Sequence, residues 1–466
     1  MNNTTEKKLE YNDYVALVRK QSAGKFAYLR TLGCQQNAAD SEQLAGIVAE
    51  MGYNITDKPE AADFALLNTC AVREHAELKA LSIAGNFKAL KEQKSSLVVG
   101  VFGCMMVQQH RADDIKNSHP YIDFTFGTGM LHRLPELLYN RLSGGKRQFI
   151  TGFGEDDADW ELPILRESSR QASVTIMSGC DNFCAYCIVP YVRGRERSRD
   201  ADSVIAEVCR LVEQGYREIT LLGQNVNSYR NPNRNAEIQN FTQLFRAVCE
   251  VEGDFVVRFM TSNPKDATTD LIDAIAESPR AARQLHLPLQ AGSNATLVAM
   301  NRKYTRESFL ELVEYARRCI PEISLTTDII VGFPGEREAD FEDTLDMLRR
   351  AEFDSMYSFI YSKRKGTPAA EMEGQVSREV KKDRFARLLA VGREISQRKN
   401  AEYKGKTIRV LAESYDKDKL AGRAENGRVI HFPGEPSLIG EWVNVKIKRT
   451  GVHSLTGEVA RSVEQA

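Results

Sequence analysis

Short apolar runs alternate with stretches of helical spacing along most of the chain. In the first third, 26–32, 64–68 and 97–102 are strand-length apolar runs. Between them, 38–51 carries a helical pattern closed by Gly52, 73–92 carries a second, and a further helix follows the third run. This alternation predicts a parallel α/β sheet. The same rhythm returns from 170 to about 375. Strands are predicted at 173–177, 218–222, 255–259, 284–287, 325–331 and 355–360, with helices such as 201–213 and 306–319 after them. Six strand–helix units suit a partial β/α barrel better than an eight-unit one. A charged helix is predicted at 376–403. Beyond it, 407–412, 427–432 and 442–448 are strand-like and broken by Gly and Pro. Five or so short strands in that space predict a small β-barrel of the OB type.

The breaks in pattern suggest domains. Residues 1–23 are polar and read as a lead or a short helix. Ser143-Gly144-Gly145 interrupts the first α/β region, and 155–161 packs five acids around Trp160. That acidic run reads as a solvated linker. The expected division is 24–145, a linker at 146–169, 170–400 and 401–464. A length of 466 residues agrees with about three domains at about 150 residues each. With 42% hydrophobic and 27% charged residues, the composition is that of a soluble globular protein. A net charge of −1 excludes a general polycation, so any contact with nucleic acid must come from local patches. No run of about 18 apolar residues predicts a transmembrane helix, and the opening MNNTTEKKLE has no apolar core of a signal peptide. Nine cysteines without an export signal point to a reducing cytoplasm and to metal ligation.

Three of those cysteines, Cys180, Cys184 and Cys187, stand within eight residues as C-x3-C-x2-C. Cysteine thiolates are the usual ligands of a 4Fe–4S cluster, and three of them leave one iron open to a small molecule. Gly179 gives the backbone room to turn, while Phe183 and Tyr186 interleave with the ligands and would shield the cluster from water. A disulfide knot is opposed by the odd count, and a structural zinc site by the lack of a fourth Cys or His at a suitable spacing. The loop resembles that of the radical S-adenosylmethionine (SAM) enzymes. Cys34, Cys70 and Cys104 each follow one of the first three predicted strands. In a parallel sheet the strand carboxyl ends share one edge, where ligands bind. Three thiols placed there would converge on a second cluster, although any one of them alone is a reasonable small buried hydrophobe. Cys209, Cys249 and Cys319 fall in predicted helices and read as packing residues.

Other candidates follow the later strands. Residues 223–227 offer amides beside a glycine, 261–266 and 290–293 follow the next two strands, and 332–336 follows the strand that carries Asp328. From these, Gln224, Asn225, Ser262 and Asp328, with Arg193, are the expected SAM contacts. Arg193, Arg195, Arg197 and Arg199 make a local cation patch that would bind phosphates, or else form internal ion pairs with the acidic linker. Lys404, Lys406, Arg409, Lys446, Lys448 and Arg449 decorate the terminal barrel as an RNA-binding edge or as plain solvation. No side chain beyond the cluster ligands is singled out as catalytic.

Four stretches carry a more specific resemblance: Asn68-Thr69-Cys70-Ala71-Val72-Arg73-Glu74; Gly179-Cys180-Asp181-Asn182-Phe183-Cys184; 188–196 (Ile-Val-Pro-Tyr-Val-Arg-Gly-Arg-Glu); and 222–229 (Leu-Gly-Gln-Asn-Val-Asn-Ser-Tyr). With them the chain resembles the methylthiotransferase family nearly end to end. Gln36 and Asn263 depart from that family's common Met and His, and neither change removes a ligand. The resemblance implies an N-terminal cysteine domain, a radical SAM core and a C-terminal TRAM domain. It implies two 4Fe–4S clusters, one at Cys180, Cys184 and Cys187 that binds SAM, and an auxiliary one at Cys34, Cys70 and Cys104. The implied activity is methylthiolation of carbon 2 of isopentenylated adenosine at position 37 of tRNA. One SAM would methylate a sulfur and a second would be split to the radical that removes the hydrogen. Implied partners are the anticodon stem-loop of tRNA, a flavodoxin-type electron donor, and a sulfur donor or Fe–S carrier, around a cytoplasmic monomer without a membrane. Relatives acting on threonylcarbamoyl-adenosine or on an aspartate of ribosomal protein S12 share the ligands. A non-catalytic Fe–S protein that binds RNA is the reading from a different class.

Overall fold

A computed structural model of the chain describes residues 9–72, 74–154 and 158–460. Arg73, three acids of the predicted linker (Glu155, Asp156 and Asp157) and the last positions of the predicted 401–464 domain lie outside the described residues. The chain divides into two compact units. The first holds residues up to Glu167 together with Ser178–Asp181 and Cys187–Glu196, and the second holds Ser168–Met177, Asn182–Tyr186 and everything from Arg197 onwards.

The first unit is built on a six-stranded parallel sheet. Its strands are β1 (Phe26–Thr31), β2 (Asn54–Thr56), β3 (Phe64–Thr69), β4 (Val98–Gly103), β5 (Phe124–Phe126) and β6 (Gln148–Phe149), in the order β2-β1-β3-β4-β5-β6. β3 and β4 are buried at every position, which is why they appear in the sequence as unbroken apolar runs. Helices cover both faces, and each face has its own apolar core, one around Phe64, Phe102 and Phe124, the other around Leu67, Val99 and Phe87. From β1 the chain goes outward to β2 and then returns past β1 to β3, so the direction of winding reverses between β1 and β3. A reversal of that kind opens a crevice at the strand carboxyl ends. The sheet corrects the predicted linker at 146–169. β6 pairs with β5 inside it, and Asp159 is not solvated but accepts the backbone N–H groups of Leu131 and His132.

The second unit contains β7 (Gln171–Thr175), Met177 of the short β8 (Met177–Ser178), β9 (Arg197–Ser198), and then β10 (Glu218–Leu222), β11 (Val256–Phe259), β12 (Gln284–His286), β13 (Ser324–Val331) and β14 (Ser355–Ile360). Two parallel sheets, β7-β10-β11 and β12-β13-β14, are linked by a parallel bridge from Val257 to Ala281, giving the partial β/α barrel. Helix Ala201–Glu213 starts where the Asp200 carboxylate accepts the N–H groups of Asp202 and Ser203. Helix Arg378–Ala401 leads to a closed barrel of β15 (Thr407–Asp416), β16 (Lys419–Ala424), β17 (Val429–Phe432), β18 (Trp442–Thr450) and β19 (Leu455–Val459).

This small barrel seals the amino ends of the parallel strands. Arg258, buried in β11, donates to Glu218 Oε2 at 2.7 Å and to the carbonyls of Ala424 and Glu425. Gln171 reaches Glu413 at 2.9 Å, and Arg428 pairs with Asp354. Arg409, expected as part of an RNA edge, pairs with Asp254 and Glu425 and lies over Trp442, so its charge is used in docking. Lys404, Lys406, Lys446, Lys448 and Arg449 are exposed. Hydrogen bonds between Gly405 or Lys406 and Ile447 bring the four lysines to one seam.

Candidate functional site

In the first unit the three thiols follow β1, β3 and β4. Cys34 stands at the start of helix Gln35–Glu50, Cys70 follows β3, and Cys104 opens the short helix Cys104–Val107. Gly33 and Gly103 precede two of them at φ +134° and +113°, where other residues are strained. A Cβ on Gly33 would lie 2.8 Å from Cys70 Cβ, and one on Gly103 would lie 2.4 Å from Thr69 O, so a side chain at either position would push the strand ends apart. Buried Asn37 ties the ends together, donating to Asn68 Oδ1 at 2.8 Å and Thr69 O at 2.9 Å. Cys34 Sγ donates to Asn37 Oδ1 at 3.3 Å, and Cys70 Sγ accepts the Val72 N–H at 3.3 Å. Burial pushes the Cys104 thiol up to about 12; Arg193 pulls it down, while Cys70 and Cys34 add to the rise.

Arg193, an expected SAM contact, pairs within the first unit, close to the first cysteine trio. Its Nη2 lies 2.6 Å from Asp40 Oδ2, and both side chains are buried. The predicted arginine patch is largely consumed in such pairs. Arg199 pairs with Glu207 at 2.7 Å and Arg195 with Asp181 at 2.9 Å. Among the described residues, Asp40, Glu207 and Asp181 are carboxylate partners of three of the four arginines.

In the second trio Cys180 and Cys184 are buried and Cys187 is half-buried. Within the first unit, Cys180 N–H donates to Gly194 O, and Asp181 and Glu196 exchange backbone-to-carboxylate hydrogen bonds at 3.1 Å. Within the second unit, three successive residues grip the segment around Cys184. Met300 O accepts the Ala185 N–H at 3.0 Å. Asn301 Nδ2 donates to Asn182 O at 3.2 Å and Phe183 O at 2.9 Å. Arg302 Nη1 donates to Cys184 Sγ at 3.3 Å. Asn301 and Phe183 both take left-handed backbone, at φ 58° and 45°. Sequence reasoning missed this clamp, because nothing in local spacing links residues 118 positions apart.

The expected SAM contacts take different roles. Asn225, an expected SAM contact, is engaged within the chain: its Nδ2 donates to Asp266 Oδ2 and its Oδ1 accepts the Asn263 N–H, so the amide holds the turn after β11. The neighbouring Asn227, by contrast, has both amide atoms buried without a hydrogen-bond partner, as is Ser262 Oγ. A buried polar atom left unpaired costs about 1–3 kcal/mol, so a polar partner at either group would be stabilising. Gln224 is half-buried at the same turn as Asn225. Asp328 is half-buried, 3.6 Å from Nε2 of buried His286, whose Nδ1 lies 2.9 Å from Thr326 Oγ1. In 290–293, Gly292 N–H donates to Thr344 and Ser293 to Asp340; in 332–336, Glu336 accepts the Gly332 N–H and pairs with Arg384. These polar groups hold helices in place.

None of the nine cysteines forms a disulfide. Among the described residues, no three His, Cys, Asp or Glu side chains are gathered as ligands of one metal ion. In a cubane each thiolate binds its own iron, so the trios need not meet at a point. Their all-sulfur donor sets fit an iron–sulfur cluster, and buried Arg302 beside Cys184 suits an anionic one. No helix among the described residues is long and apolar enough to cross a membrane.

Residues 174–348 match the family model of the Radical SAM superfamily, 26–127 match the Uncharacterized protein family UPF0004, and 401–460 match the TRAM domain. The chain is 45% identical over 467 residues to the tRNA-2-methylthio-N(6)-dimethylallyladenosine synthase of Thermoanaerobacter pseudethanolicus, covering 98% of each. It is 47% identical over 458 residues to the protein of that name from Acetivibrio thermocellus, covering 98% of this chain and 94% of the relative. Among solved structures it is similar to the radical SAM methyltransferase TsrM from Kitasatospora setae, with TM-score 0.54, 13% identity, and 74% and 75% of the two chains covered. The cobalamin-dependent radical enzyme OxsB gives 0.52 at 11% identity, covering 79% of this chain and 56% of that one. At such identities the likeness is one of fold alone. The fold and the cysteine loop define a radical SAM enzyme. The chain belongs to the family of tRNA-2-methylthio-N(6)-dimethylallyladenosine synthases.

Proposed function

We propose that the protein installs a methylthio group on carbon 2 of isopentenylated adenosine at position 37 of tRNA. The observation that carries this reading is the pair of three-thiol sets, one at the strand ends of a sheet and one on a single loop, in a chain with these relatives. Carbon 2 bears an aromatic C–H with no acidic proton, so proton transfer by side chains offers no route and the difficult chemistry falls to cofactors. Bound at Cys180, Cys184 and Cys187, a 4Fe–4S cluster would supply the electron that splits SAM, and one at Cys34, Cys70 and Cys104 would carry the sulfur to be transferred.

The chain's own groups then have distinct tasks. Asn227 and Ser262 offer unpaired polar atoms to the polar end of SAM, with Gln224 and Asp328 on neighbouring strand ends. Asn225 and the clamp at 300–302 keep those ends and the cysteine loop in place. The lysine seam of the terminal barrel attracts the phosphates of the anticodon stem-loop, and the target base leaves its stack to be reached. A flavodoxin-type reductant and a sulfur donor or Fe–S carrier serve the cycle, and the protein works as a monomer in the cytoplasm with its tRNA.

The test is nucleoside mass spectrometry of tRNA from a strain lacking the gene. The 2-methylthio isopentenyl nucleoside should vanish and return with the intact gene. Its persistence, with loss of the threonylcarbamoyl counterpart instead, would overturn the substrate. Absence of 5′-deoxyadenosine from reduced, reconstituted protein would overturn the enzymatic reading altogether.

A further inference from the structure

Arg302 is 92% shielded from solvent, and no carboxylate among the described residues pairs with it. Its hydrogen bonds go to Pro288 O at 3.0 Å, to the Tyr304 hydroxyl at 3.0 Å and to Cys184 Sγ at 3.3 Å, and its guanidinium lies over the Tyr304 ring. Carbonyl and phenol oxygens satisfy the N–H groups but do not cancel the charge. A buried cation without a counterion is costly, and proteins keep one only where a negative group completes it. The one ligating atom that Arg302 touches is a thiol that becomes negative when it binds iron. The other arginine beside a cysteine trio, Arg193, shows the contrast, since Asp40 neutralises it.

We propose that Arg302 is the buried countercharge of the cluster held through Cys184, a positioning residue that sets how readily this centre accepts an electron. This rests on the reading that Cys180, Cys184 and Cys187 carry a cluster. Hydrogen bonds to ligand sulfur and nearby net charge are two of the levers that set the potential of an iron–sulfur centre. A cation donating to Cys184 Sγ applies both in one direction: it stabilises the reduced, more negative state and raises the potential. Met300 and Asn301 hold the neighbouring residues Asn182, Phe183 and Ala185 through the backbone, so the charge and the loop that it serves are fixed by one stretch of chain.

The experiment uses the full-length chain, reconstituted anaerobically, with Cys34, Cys70 and Cys104 changed to Ala so that one centre gives the signal. Iron content and the midpoint potential, followed by electron paramagnetic resonance, are compared for this parent, for Arg302→Gln and for Arg302→Lys. Arg302→Gln is expected to shift the potential to a more negative value, and Arg302→Lys, which keeps the charge, to shift it less. A full iron load at unchanged potential in Arg302→Gln overturns the proposal. If Arg302→Gln holds no iron, Arg302→Lys decides: iron retained near the parent potential supports a charge role, and iron lost from a chain with unaltered circular dichroism overturns it. A parent that itself takes up no iron would refute the cluster reading of the loop, a failure distinct from that of Arg302.

Discussion

The two cysteine trios reach similar donor sets by opposite routes. Cys34, Cys70 and Cys104 are brought together across seventy positions of sequence by parallel pairing of β1, β3 and β4, with Asn37 and two glycines closing the gaps. Cys180, Cys184 and Cys187 are close because the chain between them is short, and what the fold adds is a clamp from 300–302. Their arginines differ as well: one is neutralised by Asp40, the other by no carboxylate. The first trio is therefore as rigid as its sheet and electrostatically balanced without a cofactor. The second is a loop whose charge balance is completed on loading. A sulfur-carrying centre benefits from a fixed cradle, and an electron-accepting one from a nearby positive charge.

The widest gap between the trios should appear when each loses one ligand. Cys184→Ala is expected to abolish 5′-deoxyadenosine formation, whereas Cys70→Ala should leave it within a few-fold of the unaltered protein and remove the methylthio product. Chromatography of the reaction mixtures reads both, and equal loss of cleavage in the two variants would break the division of labour. Next in size, Asp40→Asn makes the first arginine resemble the second by stranding Arg193. A broken buried pair costs about 3–5 kcal/mol, so thermal unfolding of the apoprotein should move to clearly lower temperature, and an unchanged transition would mean that the pair is not buried in solution. The smallest effect concerns a ligand that only the second trio is expected to bind. Ser262→Ala should weaken SAM binding by about 0.5–1.5 kcal/mol, roughly 2- to 10-fold in Kd, by calorimetry on loaded protein, with apoprotein stability maintained; equal affinity would remove Ser262 from the site.

Much of this organisation could be read from residue patterns. β10 and helices Ala201–Glu213 and Arg306–Cys319 have the predicted bounds. The two helices combine strong amphipathic spacing with Asp200 or Thr305 as a cap at the first turn. β2, β5 and β6 were missed because two or three residues carry no period, and sheet pairing alone makes them strands. In the site, the second trio was legible because its ligands are neighbours in sequence, and the first because each thiol follows a recognisable strand. The choice between Asn225 and Asn227 was not legible. Two asparagines in one turn look alike until the turn after β11 engages one and leaves the other unmatched. The partners of Arg193 and Arg302 were unseen for a related reason: the chemical meaning of an arginine lies in its partner, and Asp40 and Cys184 are more than a hundred positions away from theirs.

The docking of Arg258 under the terminal barrel has a practical consequence. Cutting the tail away to ask what it grips would also uncork the neighbouring fold, stripping Ala424 O and Glu425 O from a guanidinium set among β-strand feet. A truncated enzyme that loses activity would therefore say little about RNA. Neutralising lysines along the seam, which leaves the cork in place, separates the two roles.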